Sequence, residues 1–298
     1  MTDAKRSSPR IVLGQNDYGK ADIRLVKVFR DRTPHEIKEV HVSVSQEGDF
    51  TAAHVAGDNT GLMATDTMRN SVYALAKDGL SASIEDFGMK LVKHFVEAAP
   101  KATSIRIDLS EYPWERIAVD GEMHAYSFSR GAGKRTARVT GDGSSFEVEA
   151  GIDDLIVLKT TNSGWEGFHR DRFTTLPETD DRILATVVTA KWEYADRPGS
   201  ANPDRALDLD FDVLWSGVRR RILATFTDHY SPSVQNTLYR MGKAVLEEFD
   251  EVERVHFSLP NRHHIKYDLK RFGIEDENEI FHADAEPYGL IEGWAERA

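Results

Sequence analysis

The sequence predicts an α+β chain of two tandem domains, each an antiparallel sheet with its helices gathered on one face. Three observations lead there. Apolar and polar residues alternate through most segments and change to helical spacing in only a few. Turn residues sit between neighbouring extended stretches, the pattern of antiparallel hairpins. Landmarks of the first half also recur in the second. At 298 residues the chain is long enough for two domains of ordinary size.

The elements follow in order. After a polar lead over residues 1–10, expected to be disordered, "ADIRLVKVFRD" and "HEIKEVHVSVSQEG" flank a Thr-Pro turn and read as a hairpin with one buried face. "TDTMRNSVYALAKDG" and "SIEDFGMKLVKHFVEAAP" take helical spacing, with Asp, Ser or Thr at each start and Gly or Pro near each end. "ATSIRIDLSEYPWERI" returns to strand, and "EMHAYSFSRGAGKRTARVTGDG" reads as another hairpin with a Gly-rich turn. The boundary is expected near Gly141 to Gly143, giving domains over 11–142 and 143–298. "SSFEVEAGIDDLIVLKTT" and "DRILATVVTAKWEYAD" then read as strands, "SPSVQNTLYRMGKAVLEEF" as a helix and "VERVHFSLPNRHHIKYDL" as strand again. "TDTMRNSVY" (65–73) can be laid on "SPSVQNTLY" (231–239), and "SIRIDLSEY" on "RVHFSLPNR", which implies duplication, with one extra helix between these landmarks in the first copy. Alternating strands leave edges that need cover, so association with further copies is expected.

Composition narrows the function classes. A net charge of −12 argues against a general nucleic-acid binder, whose affinity comes from neutralising phosphates. A small anionic ligand remains open if Arg or Lys is placed locally. The absence of cysteine removes disulfides, thiolate metal sites and cysteine nucleophiles, and fits a reducing compartment. No apolar run is long enough to span a bilayer. No secretory signal precedes the first strand, and the chain ends "WAERA" rather than in a Ser-Lys-Leu signal, so a cytoplasmic setting is expected.

Several residues could carry chemistry, each with a plainer reading beside it. In "SLPNRHHIKYDL" side chains alternate faces, so Asn261 and His263 share one face and His264 takes the other. The two histidines therefore cannot easily share a metal, and no tight ligand spacing occurs among the C-terminal histidines. Ser231 as N-cap and Pro232 as first helical residue would leave the N–H groups of Val234 and Gln235 at a helix tip suited to an anion, and Thr65 or Asp66 would cap the earlier helix. These are otherwise simply good caps. Arg182 could clamp a planar, acceptor-rich ligand, or pair with a neighbouring Asp. Trp165, between glycines, is a stacking platform or a buried loop anchor. Lys20 is a surface lysine unless burial or like charge lowers its pKa.

Taken together, "YGKADIR", "ATDTMRNSVYALAK", "TNSGWEGFHRDRFTTLPETDDRIL", "SPSVQNTLYRM", "SLPNRHH" and "EPYGLIEG" resemble the urate oxidase (uricase) family, in order and over nearly the whole chain. The resemblance implies two tunnelling-fold (T-fold) domains and a homotetramer whose paired chains close a sixteen-stranded barrel with active sites between subunits. It also implies oxidation of urate by O2 to 5-hydroxyisourate and H2O2 with no metal, flavin or other cofactor. On that resemblance Arg182, Gln235 and the Val234 N–H hold urate, and Trp165 stands where the family has a stacking Phe. Asn261 faces the O2 or water site, Asp66 touches substrate through its backbone, and Lys20, Thr65 (from the partner subunit) and His263 form a proton relay. The alternatives are a non-catalytic urate-binding protein and a purine- or pterin-binding T-fold relative.

Overall fold

A computed structural model describes residues 10–194 and 209–298; apart from Arg10, the expected disordered lead lies outside the described residues. The strands are β1 (Asp17–Phe29), β2 (Glu36–Gly48), β3 (Ala102–Tyr112), β4 (Trp114–Val119), β5 (Glu122–Arg130), β6 (Lys134–Gly141), β7 (Phe146–Lys159), β8 (Leu184–Tyr194), β9 (Val252–Lys266) and β10 (Phe281–Glu296). The helices are α1 (Thr51–Ala56), α2 (Thr65–Gly79) and α3 (Ile84–Ala98) between β2 and β3, and α4 (Phe211–Thr227) and α5 (Val234–Glu248) between β8 and β9.

Eight strands form one antiparallel sheet in the order β1-β2-β3-β6-β7-β8-β9-β10, which is the α+β architecture expected. With α1 and the β4–β5 ribbon set aside, each half runs strand, strand, helix, helix, strand, strand. The period-2 pattern explains the layering: Val40, Val42 and Val44 of β2 and Ile105, Ile107 and Leu109 of β3 all face the helices and are buried. Helix α3 answers with Ile84, Phe87, Leu91 and Phe95 at helical spacing. In the second half α5 buries Val234, Leu238, Met241 and Val245 against Val255, Phe257 and Leu259 of β9. The opposite face keeps apolar side chains exposed, among them Val26, Ile156, Leu158 and Leu290.

A charged cluster ties the halves. Arg135 at the start of β6 is nearly buried and donates to Glu85 Oε2 at 2.6 Å and Asp212 Oδ1 at 2.6 Å, joining α3 to α4. Phe211, the first residue of α4, packs into the core of the first half and edge-on against Tyr194 at 5.2 Å.

Two expectations are corrected. Residues 122–143 do not form a hairpin: β5 pairs with β4 across the tight turn at Asp120 and Gly121, both with positive φ, while β6 returns to pair with β3 and β7. The Gly-rich stretch is thus an exit from the ribbon. The match between 65–73 and 231–239 sets α2, the first long helix of its half, against α5, the second of the other. By position in the fold α5 corresponds to α3, so those two stretches are not equivalent places. Among the described residues no helix is long and apolar enough to cross a membrane.

Candidate active site

The excursion between β7 and β8, residues 160–183, is built around Ser231. Asn162, held at positive φ, accepts from the Ser231 N–H through its carbonyl at 3.0 Å. The Gly164 N–H returns to the Ser231 carbonyl at 2.8 Å, and the Arg182 N–H reaches the Ser163 carbonyl at 2.8 Å. Trp165 and Thr179 exchange backbone hydrogen bonds of 2.7 and 3.1 Å. A Cβ at 164 would lie 2.0 Å from the Tyr230 hydroxyl and 2.9 Å from the Thr179 carbonyl oxygen, so any residue but glycine would push both away. These bonds bring Trp165, Arg182 and the N-terminus of α5 to one place.

Ser231 is not the cap of α5. The N-cap is Ser233, whose Oγ accepts from the Asn236 N–H at 3.1 Å, and Val234 is the first helical residue. Ser231 is fully buried, and its hydroxyl lies 2.6 Å from Thr237 Oγ1. Moving the helix start by two residues leaves the Val234 and Gln235 N–H groups at the outermost turn, where no intrahelical partner exists. The Val234 side chain is buried, so only its backbone is presented, whereas the Gln235 side chain is exposed.

Arg182 does not pair with a neighbouring Asp. Among the described residues no carboxylate forms an ion pair with it, and its buried Nε has no hydrogen-bond partner. Asp181 instead accepts from Thr161 Oγ1 at 2.7 Å. Burial lowers the guanidinium pKa, the mark of a charge removed from water without compensation. Its carbon lies 5.9 Å from the centroid of the Trp165 ring, which is stacked on Phe168 at 5.6 Å and 10°. A half-buried cation beside a flat indole and free helix-tip donors suits a planar anion.

Two strands supply the next wall. Arg182 lies just ahead of β8, and Thr186 of β8 pairs with Asn261 of β9. Asn261 is nearly buried, and its Nδ2 lies 3.5 Å from His263 Nδ1, so the two share a face. His264 turns the other way and meets the Arg262 carbonyl at 3.1 Å. Among the described residues no three His, Asp or Glu side chains gather in an arrangement that could hold a metal ion.

Lys20, Thr65 and Asp66 lie elsewhere. The Tyr18 hydroxyl donates to the Met63 carbonyl at 3.2 Å and accepts from the Met63 N–H at 3.0 Å. That clasp puts Lys20, on the same face of β1 as Tyr18, and Thr65, at the start of α2, in one corner. The expected side-chain cap at Thr65 or Asp66 is absent: Ala64 is the N-cap, and Asp66 is spent on Arg69 at 2.7 Å and Asn70 at 3.1 Å. Helix α2 therefore presents open N–H groups, unlike α3, α4 and α5, which Ser83, Asp210 and Ser233 cap. From β1 to β9 the sheet order counts six inter-strand steps. At about 4.8 Å each, roughly 29 Å of sheet separates Lys20 from His263. One chain thus brings together Trp165, Arg182, Val234, Gln235, Asn261 and His263, and separately Lys20, Thr65 and Asp66.

Sequence reasoning passed over Ser163, Tyr230 and His229, which brace the site from behind. Their only signal was proximity to the quoted motifs, since the contacts that join the loop to the end of α4 are distant in sequence, such as Asn162 Nδ2 to the His229 carbonyl at 3.0 Å.

The chain is similar to known proteins along nearly its whole length. A family model described as Uricase matches residues 16–140 and 148–292. The uricase of Arthrobacter globiformis is 44% identical over 97% of this chain and 91% of its own length. That of Dictyostelium discoideum is 38% identical over 95% of this chain and 96% of its own. The crystal structure of the Arthrobacter globiformis uricase superposes with a TM-score of 0.88 over 97% of this chain and 96% of that one. Matching the family model over most of its length, the chain belongs to the uricase family.

Proposed function

We propose that the chain oxidises urate with O2 and water to 5-hydroxyisourate and H2O2, without a cofactor, at a site completed by a second copy in a homotetramer. The observation that carries the reading is Arg182: a half-buried guanidinium with no carboxylate partner among the described residues, beside the Trp165 ring and the first turn of α5, where the Ser233 cap takes the Asn236 N–H and leaves those of Val234 and Gln235 free. Urate is flat, anionic and edged with acceptors and donors. Arg182 and Gln235 hold its edges, the Val234 N–H adds a donor, and the indole stacks under the ring. Family membership supports the substrate.

The chemistry assigns the remaining roles. Removing a second proton from urate makes it electron-rich enough to pass an electron to O2. A threonine hydroxyl is too weak a base alone; coupled to Lys20, Thr65 lets that proton leave along hydrogen bonds. The partner's corner delivers this pair, with the open N–H at Asp66 to the substrate. Asn261 faces O2 or water above the ring, and His263 beside it returns a proton to the departing peroxide and orients the attacking water.

The test is urate decay in the ultraviolet with simultaneous O2 uptake, on protein dialysed against EDTA. Loss of both with peroxide appearing is expected. Urate binding without decay would mean a binding protein, and activity only on adding metal would overturn the mechanism.

A further inference from the structure

His229, two residues past the end of α4, is not among the residues that would touch urate, yet, half-buried itself, it ends a hydrogen-bonded chain of buried hydroxyls directly behind them. Its Nδ1 lies 2.6 Å from the Thr225 carbonyl, to which it must donate. Nε2, 2.9 Å from Thr237 Oγ1, is then the acceptor in the neutral ring, so the Thr237 hydroxyl donates to it and accepts from Ser231 Oγ at 2.6 Å. Ser231 and Thr237 are both buried. The backbone of His229 is held as well: its carbonyl accepts from Lys159 Nζ at 2.8 Å and from Asn162 Nδ2 at 3.0 Å.

Ser231 is the residue on which the two sides of the pocket meet. Its N–H and carbonyl hold Asn162 and Gly164, the loop that carries Trp165 and reaches Arg182 through Ser163. Two residues further on, the chain becomes the N-cap of α5 and presents Val234 and Gln235. The Ser231 hydroxyl has one hydrogen and two acceptors in reach, Thr237 Oγ1 at 2.6 Å and the Ser233 carbonyl at 3.1 Å. With Thr237 no longer held as an acceptor, that hydrogen would swing to Ser233, and the turn that sets the separation between Arg182 and the helix tip would shift with it. We propose that His229 is a positioning residue: acting as acceptor through Thr237 and Ser231, it sets the gap between the Arg182 and Gln235 arms of the urate clamp. This rests on the urate reading above.

The experiment compares urate oxidation kinetics and anaerobic urate binding for wild type, H229F, H229Q and T237V. Phenylalanine removes donor and acceptor, whereas the glutamine carbonyl oxygen stands near the place of Nε2 and can take the Thr237 hydrogen bond. Because a clamp acts on bound substrate and transition state alike, H229F and T237V should each raise KM and the anaerobic Kd about tenfold with kcat within about twofold, and H229Q should restore both constants to near wild type. T237V keeps the shape of its site, so the proposal stays open to test if H229F folds poorly. Unchanged KM in H229F and T237V would overturn the proposal, even with a lower melting temperature, as would a glutamine variant no better than phenylalanine. Wild type that neither binds nor oxidises urate would instead remove the reading on which the proposal stands.

Discussion

At the scale of residues, the groups proposed to hold substrate are distinct from those proposed to move protons. Lys20→Ala should lower turnover by about a hundredfold or more while anaerobic urate binding persists, as removing a general-base partner does. Unchanged turnover would remove Lys20 from the relay. Arg182→Lys keeps the charge and loses the planar fork, so KM should rise by about tenfold or more in steady-state assays. His229 adds a pH signature. Burial lowers its pKa below the usual histidine value, with Lys159 and Arg240 acting the same way and the hydrogen bond to the Thr225 carbonyl and the charge of Asp228 opposing. The unfolded chain therefore takes up the proton more readily, and this group costs stability as pH falls below about 6.5. Melting temperature should fall more steeply between about pH 6.5 and 5 in wild type than in H229Q. Asn261 and His263 were legible from strand alternation alone, and Arg182 was legible as a candidate. That Arg182 lacks an ion pair was not, because whether Asp181 turns toward it depends on Thr161, twenty residues earlier.

At the scale of elements, long periodic segments were readable and interrupted ones were not. The spacing of α3 and α5 and the alternation of β2 and β3 match the observed burial. Strand β10 was unreadable because Pro287 and Gly289 break its alternation where the register shifts between Asp284 and Gly289. The start of α5 was misplaced by two residues because Ser231 and Ser233 are equally good caps locally, and only the buried contact with Thr237 decides between them. The partners of Arg135 lie 50 and 77 residues away, which no local pattern reveals. Arg135→Met leaves the fully buried Glu85 carboxylate unpaired, so urea unfolding should show a loss of about 3–5 kcal/mol. A loss below about 1 kcal/mol, the range of an exposed pair, would show that the cluster does not tie the halves.

At the scale of the whole molecule, the eight-stranded sheet ends in two long edges, β1 and β10, and its helix-free face exposes apolar side chains. In the homotetramer proposed above, further copies would cover both features. Lys20 and Thr65 stand near one edge of the sheet, and Arg182, Asn261 and His263 toward the other, so a symmetric pair would set the corner of one chain against the clamp of its partner. Mixing chains tests this directly. A hybrid of K20A with R182A holds one site with both defects and one with neither. Random pairing of refolded or co-expressed variants should therefore recover about a quarter of wild-type urate oxidation, although each variant alone is nearly inactive. Recovery no greater than the sum of the two separate variants, with wild type active and mixed oligomers demonstrated, would contradict a site shared between chains.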